Sequence, residues 1–207
     1  MLVTQAITIS KIYFLQIKSW FSWFFLYSIF FPVGSIFFIK ILGNHSDPLR
    51  LVAGASVLSI SIVSINATAY WIMTDRFQKK IQLLKTLPMN QYIYYAGIII
   101  VSVVQSFVNV NVLLAVLKIS GFSFKYSFGV IVAVLITSSL FSVFGILIGK
   151  AAKDTSHGSL LMNIFGTGAV LICPIFYSVS VLPAYIGKIV VFFPYTLAFN
   201  VFYRLFS

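Results

Sequence analysis

Few residues in this sequence can do chemistry, and their types narrow the field at once. There are three acids, Asp47, Asp75 and Asp154, with no glutamate, two histidines and one cysteine, Cys173. A zinc helix of the H-E-x-x-H kind therefore has neither its ligands nor its base. A single cysteine makes neither an intrachain disulfide nor a thiolate cluster, so Cys173 is read as a packing residue and no metal site is expected. Gly145 to Lys150 reads G-x-x-x-G-K and is followed by Ala151, one residue short of a phosphate-binding loop and without its Ser or Thr. That route to ATP hydrolysis is closed, and no catalytic residue is assigned. All three aspartates are expected in loops, which leaves a proton-coupled carrier without a buried carboxylate to titrate.

What remains is a set of contacts. The most polar stretch, 74–88, carries Arg76, Lys79, Lys80 and Lys85, and it ends at Pro88. Phe77, Ile81 and Leu84 fall at i, i+4 and i+7, an apolar stripe on a short helix that Asp75 can cap and Pro88 stops. Such a helix either lies on anionic lipid or docks in a partner's groove. Elsewhere the polar residues are uncharged and helically spaced: Ser102, Gln105 and Asn109, then Asn163 and Thr167. Seams of this kind glue helices together or meet a substrate. Ser138, Ser142, Gly145 and Gly149 form a small-residue face suited to close helix approach.

These contacts must be held in a bilayer. Hydrophobic residues make up 60% of the 207-residue chain and charged ones 8%, with a mean hydropathy of +1.05. Soluble domains run near one quarter charged. The fold class is therefore all-α and integral to the membrane. Runs at 21–41, 51–73, 94–117, 128–148 and 159–179 are each long enough to cross the roughly 30 Å hydrocarbon core. Residues 1–20 mix apolar and polar side chains and suit an interfacial helix. Trp20, Trp23, Tyr27, Trp71, Tyr92, Tyr94 and Tyr95 sit near span ends and are read as headgroup anchors. Pro174 is expected to kink the fifth span. Residues 182–207, interrupted at Pro194, fit a re-entrant hairpin or a short sixth span.

The net charge of +11 is spread between apolar runs rather than clustered, which argues against nucleic acid. It follows the positive-inside bias instead: Lys11, Lys18, Arg76, Lys79, Lys80, Lys85, Lys150 and Lys153 share one side if the N-terminus is cytoplasmic. A multi-pass protein of the cell membrane with its N-terminus inside is the expected arrangement.

The order of these features resembles the permease subunits of type-2 ATP-binding-cassette exporters over most of the chain. Leu83-Leu84-Lys85-Thr86-Leu87-Pro88 is similar to the turn that ends that family's cytoplasmic coupling helix, and Pro174, Leu182-Pro183, Pro194 and Arg204 are similar to its C-terminal pattern. The sequence departs from the family in offering Asp75 as its only acid near the coupling helix, with no Gly there, and in ending at Ser207 before the family's sixth span. The resemblance implies a single permease domain, 1–207, that pairs with a second permease chain and binds a separate ATPase subunit. ATP and Mg would sit on that ATPase, with no cofactor in this chain. Phe77, Gln78, Lys79, Lys80, Ile81 and Leu84 would couple to it. Asn66, Gln105 and Asn109 would meet a lipophilic or amphipathic, drug-like or antibiotic-like substrate, in preference to polysaccharide, and Pro183, Pro194 and Arg204 would belong to an outer re-entrant segment. A non-transporting anchor or assembly subunit is the alternative.

Overall fold

The computed structural model describes residues 7, 9–11, 13, 15, 30, 33–34, 47–81, 91–177 and 182–207. Among these there are helices and no strand. The first expected span, 21–41, lies outside them apart from Phe30, Val33 and Gly34. Leu84 and the 83–88 turn lie outside them altogether.

The chain from Pro48 to Phe77 is one 30-residue rod. It comprises α1 (Pro48–Ser61), a π-helical turn (Ile62–Asn66) and α2 (Ala67–Phe77). Its start follows from sequence: Pro48 needs no amide partner in the first turn, and the Asp47 carboxylate accepts from the Leu49 N–H at 3.0 Å. Next come α3 (Gln91–Ile119) and α4 (Phe128–Ala151). The rod, α3 and α4 are each long and apolar enough to cross a bilayer. They cover the expected second, third and fourth spans and overrun them by a few residues, because helices continue past the apolar core into polar termini.

The rod is the centre of the molecule. Its most apolar stretch is 83% buried, against 50% for α3 and for α4, whose outward rows stay exposed. Val57, Leu58, Ile60, Ile62 and Ile65 are fully enclosed. The close approach of α4 depends on small side chains. A Cβ on Gly145 would come within 2.8 Å of the Ile65 carbonyl oxygen, and one on Gly149 within 2.8 Å of that of Ala69. Ser138 and Ser142 lie on the same buried face, with the Ser142 hydroxyl donating to Ser102 on α3 at 2.8 Å.

The fifth expected span takes a different form. Asp154 caps α5 (Thr155–Asn163), accepting from the His157 N–H at 2.7 Å, and a second π turn (Ile164–Gly168) leads into α6 (Ala169–Ile172). The helix ends there instead of bending about Pro174: Cys173 is extended, with ψ 146°, as a residue before proline prefers. The carbonyls of the second π turn are used by neighbours. Gly166 accepts from the Ser61 hydroxyl at 2.7 Å and Phe165 accepts from the Tyr195 hydroxyl. Asn163, expected to share a polar seam with Thr167, is exposed.

Two short helices close the described chain, α7 (Ala184–Val190) and α8 (Pro194–Phe206), with Pro183 preceding the first and Pro194 opening the second. The 13 residues of α8 extend about 20 Å, well short of a crossing. Its register on the bundle is fixed along its length. Tyr195 meets Phe165 and the ring of Phe141 halfway along the bundle, the Phe199 ring lies 5.5 Å from the Arg50 guanidinium, and the Tyr203 hydroxyl donates to Asp47 at 2.6 Å. Arg204 points away from these contacts and is exposed.

Candidate functional site

The rod ends in an elbow. Gln78 N–H still reaches the Thr74 carbonyl at 2.9 Å, Lys79 N–H reaches that of Arg76 at 3.1 Å, and Lys79 then turns left-handed with φ 58°. Lys80 and Ile81 are helical again. Phe77 and Ile81 therefore belong to different helices, and the single stripe expected from Phe77, Ile81 and Leu84 is broken at Lys79. The reason is that α2 runs on through residues the sequence reading placed in the loop.

Asp75 is corrected by the same extension. It does not cap a new helix; it sits in the last turn of α2 with 3% exposure, so the molecule does hold a buried carboxylate. The hydroxyls of Tyr13, from the N-terminal segment, and Tyr94, from the first turn of α3, both donate to its Oδ2, the latter at 2.8 Å. Lys80 Nζ lies 3.6 Å from its Oδ1 and is itself 44% exposed. Burial, and next the charge of Asp75, push the Tyr13 hydroxyl up from its ordinary value. The Tyr13 ring packs 5.5 Å from Trp71 and 6.3 Å from Tyr94. Trp71 and Tyr94 are thus buried packing partners rather than headgroup anchors, while Tyr92, one side round the helix, is exposed.

Arg76 faces the other way. Its Nη1 donates to the carbonyls of Gly149 at 2.8 Å and Ala152 at 3.1 Å, and also to that of Lys150. These are carbonyls at the C-terminal end of α4, where the helix leaves acceptors unsatisfied and its dipole favours a cation. The elbow is held from both sides, and beyond it Phe77 (39% exposed), Gln78 and Lys79 are free of the bundle. Lys80 and Ile81 are partly covered.

Compared with models of protein families, with curated proteins and with solved structures, the chain matches none. The site is read from its own geometry.

The residues proposed to meet substrate are inside the bundle. Gln105 is 8% exposed and Asn109 1%, on one face of α3, and the Asn109 amide donates to the Gln105 carbonyl at 3.0 Å. Asn66 closes the first π turn against Gly166, where a Cβ would run into its Oδ1. The side-chain oxygens of all three have no hydrogen-bond partner among the described residues. No group of three or more His, Cys, Asp or Glu side chains that could hold a metal occurs among the described residues. Sequence reasoning missed the Tyr13–Asp75–Tyr94 cluster. The available signal was the spacing of Ile9 and Tyr13, one turn apart and both buried on the same side of the N-terminal segment.

Proposed function

We propose that this chain is the membrane-spanning subunit of an exporter driven by ATP hydrolysed on a separate ATP-binding-cassette subunit. The observation that carries the reading is the elbow: exposed Phe77, Gln78 and Lys79 stand beside a rod end fastened on both sides by Asp75 and Arg76. A partner pushing there would move the rod that the rest of the bundle surrounds. In this reading the chain crosses the cell membrane five or six times with its N-terminus and elbow in the cytoplasm, and residues 182–207 form an outer re-entrant segment. Two such chains, identical or related, flank a path for a lipophilic or amphipathic substrate met by Asn66, Gln105 and Asn109. The resemblance stated above supports the exporter class and the partner.

A second reading, a membrane anchor or assembly subunit that does not transport, is favoured by the burial of Gln105 and Asn109 inside one chain. The elbow decides between them. Each large apolar side chain buried in an ATPase groove contributes about 1.5–3 kcal/mol, so Phe77→Ser with Ile81→Ser should abolish co-purification with the ATPase and substrate-stimulated ATP hydrolysis in reconstituted membranes. Lys79→Gln with Lys80→Gln should give a smaller, salt-sensitive loss, since exposed charges mainly orient a partner. Wild-type behaviour of the Phe77, Ile81 double variant would remove the exporter reading.

A further inference from the structure

Asp75 stands at the C-terminal end of α2, the end of a helix at which a negative charge is disfavoured. It is also buried, and a buried carboxylate is retained only with compensating hydrogen bonds. Lys80, in the elbow itself, lies 3.6 Å from the Asp75 Oδ1, while both hydrogen bonds to the Asp75 Oδ2 come from elsewhere in the chain: Tyr13, 62 residues away, and Tyr94, 19 residues away, on either side of the loop the elbow begins. The N-terminal segment adds the Ser10 hydroxyl, donating to the Gly97 carbonyl of α3 at 3.2 Å, and the buried Ile9. Its opposite side, with Ile7, Lys11 and Leu15, is exposed.

We infer that Asp75 is a positioning residue that latches the N-terminal segment to the elbow through Tyr13, so that a displacement at Gln78–Ile81 carries the N-terminal segment and the start of α3 with it. The latch deepens the coupling reading of the elbow, but it is a property of this chain alone. The hydroxyl of Tyr13 is the joint; its ring, packed on Trp71, is only the seat. Tyr13→Phe therefore opens the joint while the seat stays filled.

The test uses the full chain in lipid nanodiscs with Cys173→Ser, so that introduced thiols are the only ones. Spin labels on Lys11→Cys and Gln78→Cys, both exposed positions, should report one narrow distance. Tyr13→Phe and Asp75→Asn should each broaden that distribution at least twofold. Each should also raise the rate at which an impermeant maleimide labels Ile9→Cys by about tenfold, the factor given by 1.4 kcal/mol, which is of the order of a hydrogen bond to a charged group. Tyr13→Phe should add little to Asp75→Asn in the double variant, because the one contact the two share is already weakened by the loss of the charge. An unchanged distance distribution in Tyr13→Phe, or labelling in the double variant that rises by the product of the single effects, would overturn the latch. No ATPase is present in these measurements. Failure of the exporter reading would therefore show in the co-purification assay and leave these results untouched.

Discussion

The two ends of the central rod carry the same pair of charges in opposite relation to the helix. At one end Asp47 caps the first turn, where an acid is favoured, and Arg50 lies within that turn, where a base is not. At the other end Arg76 is the favoured charge and Asp75 the disfavoured one. In both places the disfavoured charge is held by another element: Arg50 Nη1 donates to the Tyr177 carbonyl at 2.6 Å, and Asp75 accepts from Tyr13 and Tyr94. The ends differ in enclosure. Asp47 and Arg50 are partly open, whereas Asp75 is sealed. Both ends draw on distant partners, so enclosure sets the difference: at the partly open end water can replace a lost partner, whereas at the sealed end removing one partner leaves the others unpaired.

Glycines give the largest expected contrast. Gly149, near the Asp75 end, abuts the Ala69 carbonyl and the Ile72 Cβ, groups that cannot turn aside. Gly54, near the Asp47 end, abuts the Ile175 Cγ2 and the edge of the Phe176 ring, side-chain atoms that yield more readily than backbone. Leucine at position 149 should cost about 3 kcal/mol and leucine at 54 about 1 kcal/mol, the two ends of the range for overpacked cores. Unfolding by SDS in mixed micelles measures both, and equal losses would dissolve the contrast.

A smaller difference is expected between the acids. Asp75→Asn should destabilise by about 2 kcal/mol, as for hydrogen bonds to a buried charge, while Asp47→Asn should cost only a few tenths of a kcal/mol, on the order of the difference between two good caps. The same titration compares them, and a larger loss at Asp47 would contradict the ranking by enclosure.

The smallest effect should be a gain. Lys79 holds a left-handed backbone at φ 58°, a conformation that the bend after α3 gives to Gly121, with φ 89°. Lys79→Gly should relieve about 1 kcal/mol of that strain, offset in part by the freedom glycine adds to the unfolded chain. A loss of stability would show that the Lys79 side chain holds the elbow.

Much of the bundle was legible from hydropathy, because α3, α4 and the rod are unbroken apolar runs. The elbow was not. Thr74, Asp75 and Arg76 are polar and so read as loop, although their partners, the hydroxyls of Tyr13 and Tyr94 and the carbonyls ending α4, make helix the better place for them. Pairs so distant in sequence leave no periodic trace. The turn at Pro194 was visible as a break. What α8 rests on, Tyr195 beside Phe141 and Tyr203 on Asp47, was not, since these partners are far away in sequence. Gly145 and Gly149 show the converse case, in which a repeat of small residues is readable from spacing while the surface it meets is known only from the fold.

The π turn at Ile62–Asn66 can be restated as a phase shift. Such a turn takes up one extra residue without adding that residue's share of rotation, so everything beyond it sits about 100° away from where an unbroken α-helix would put it. Asp75 and Arg76 lie beyond it, and Asp47 and Arg50 before it. The turn thus acts as a fixed gear between the two ends: it lets one continuous rod present Asp47 to α8 and, past the shift, Asp75 to Tyr13 and Arg76 to α4. Deleting one residue from the turn would leave both halves helical and put those two ends out of step.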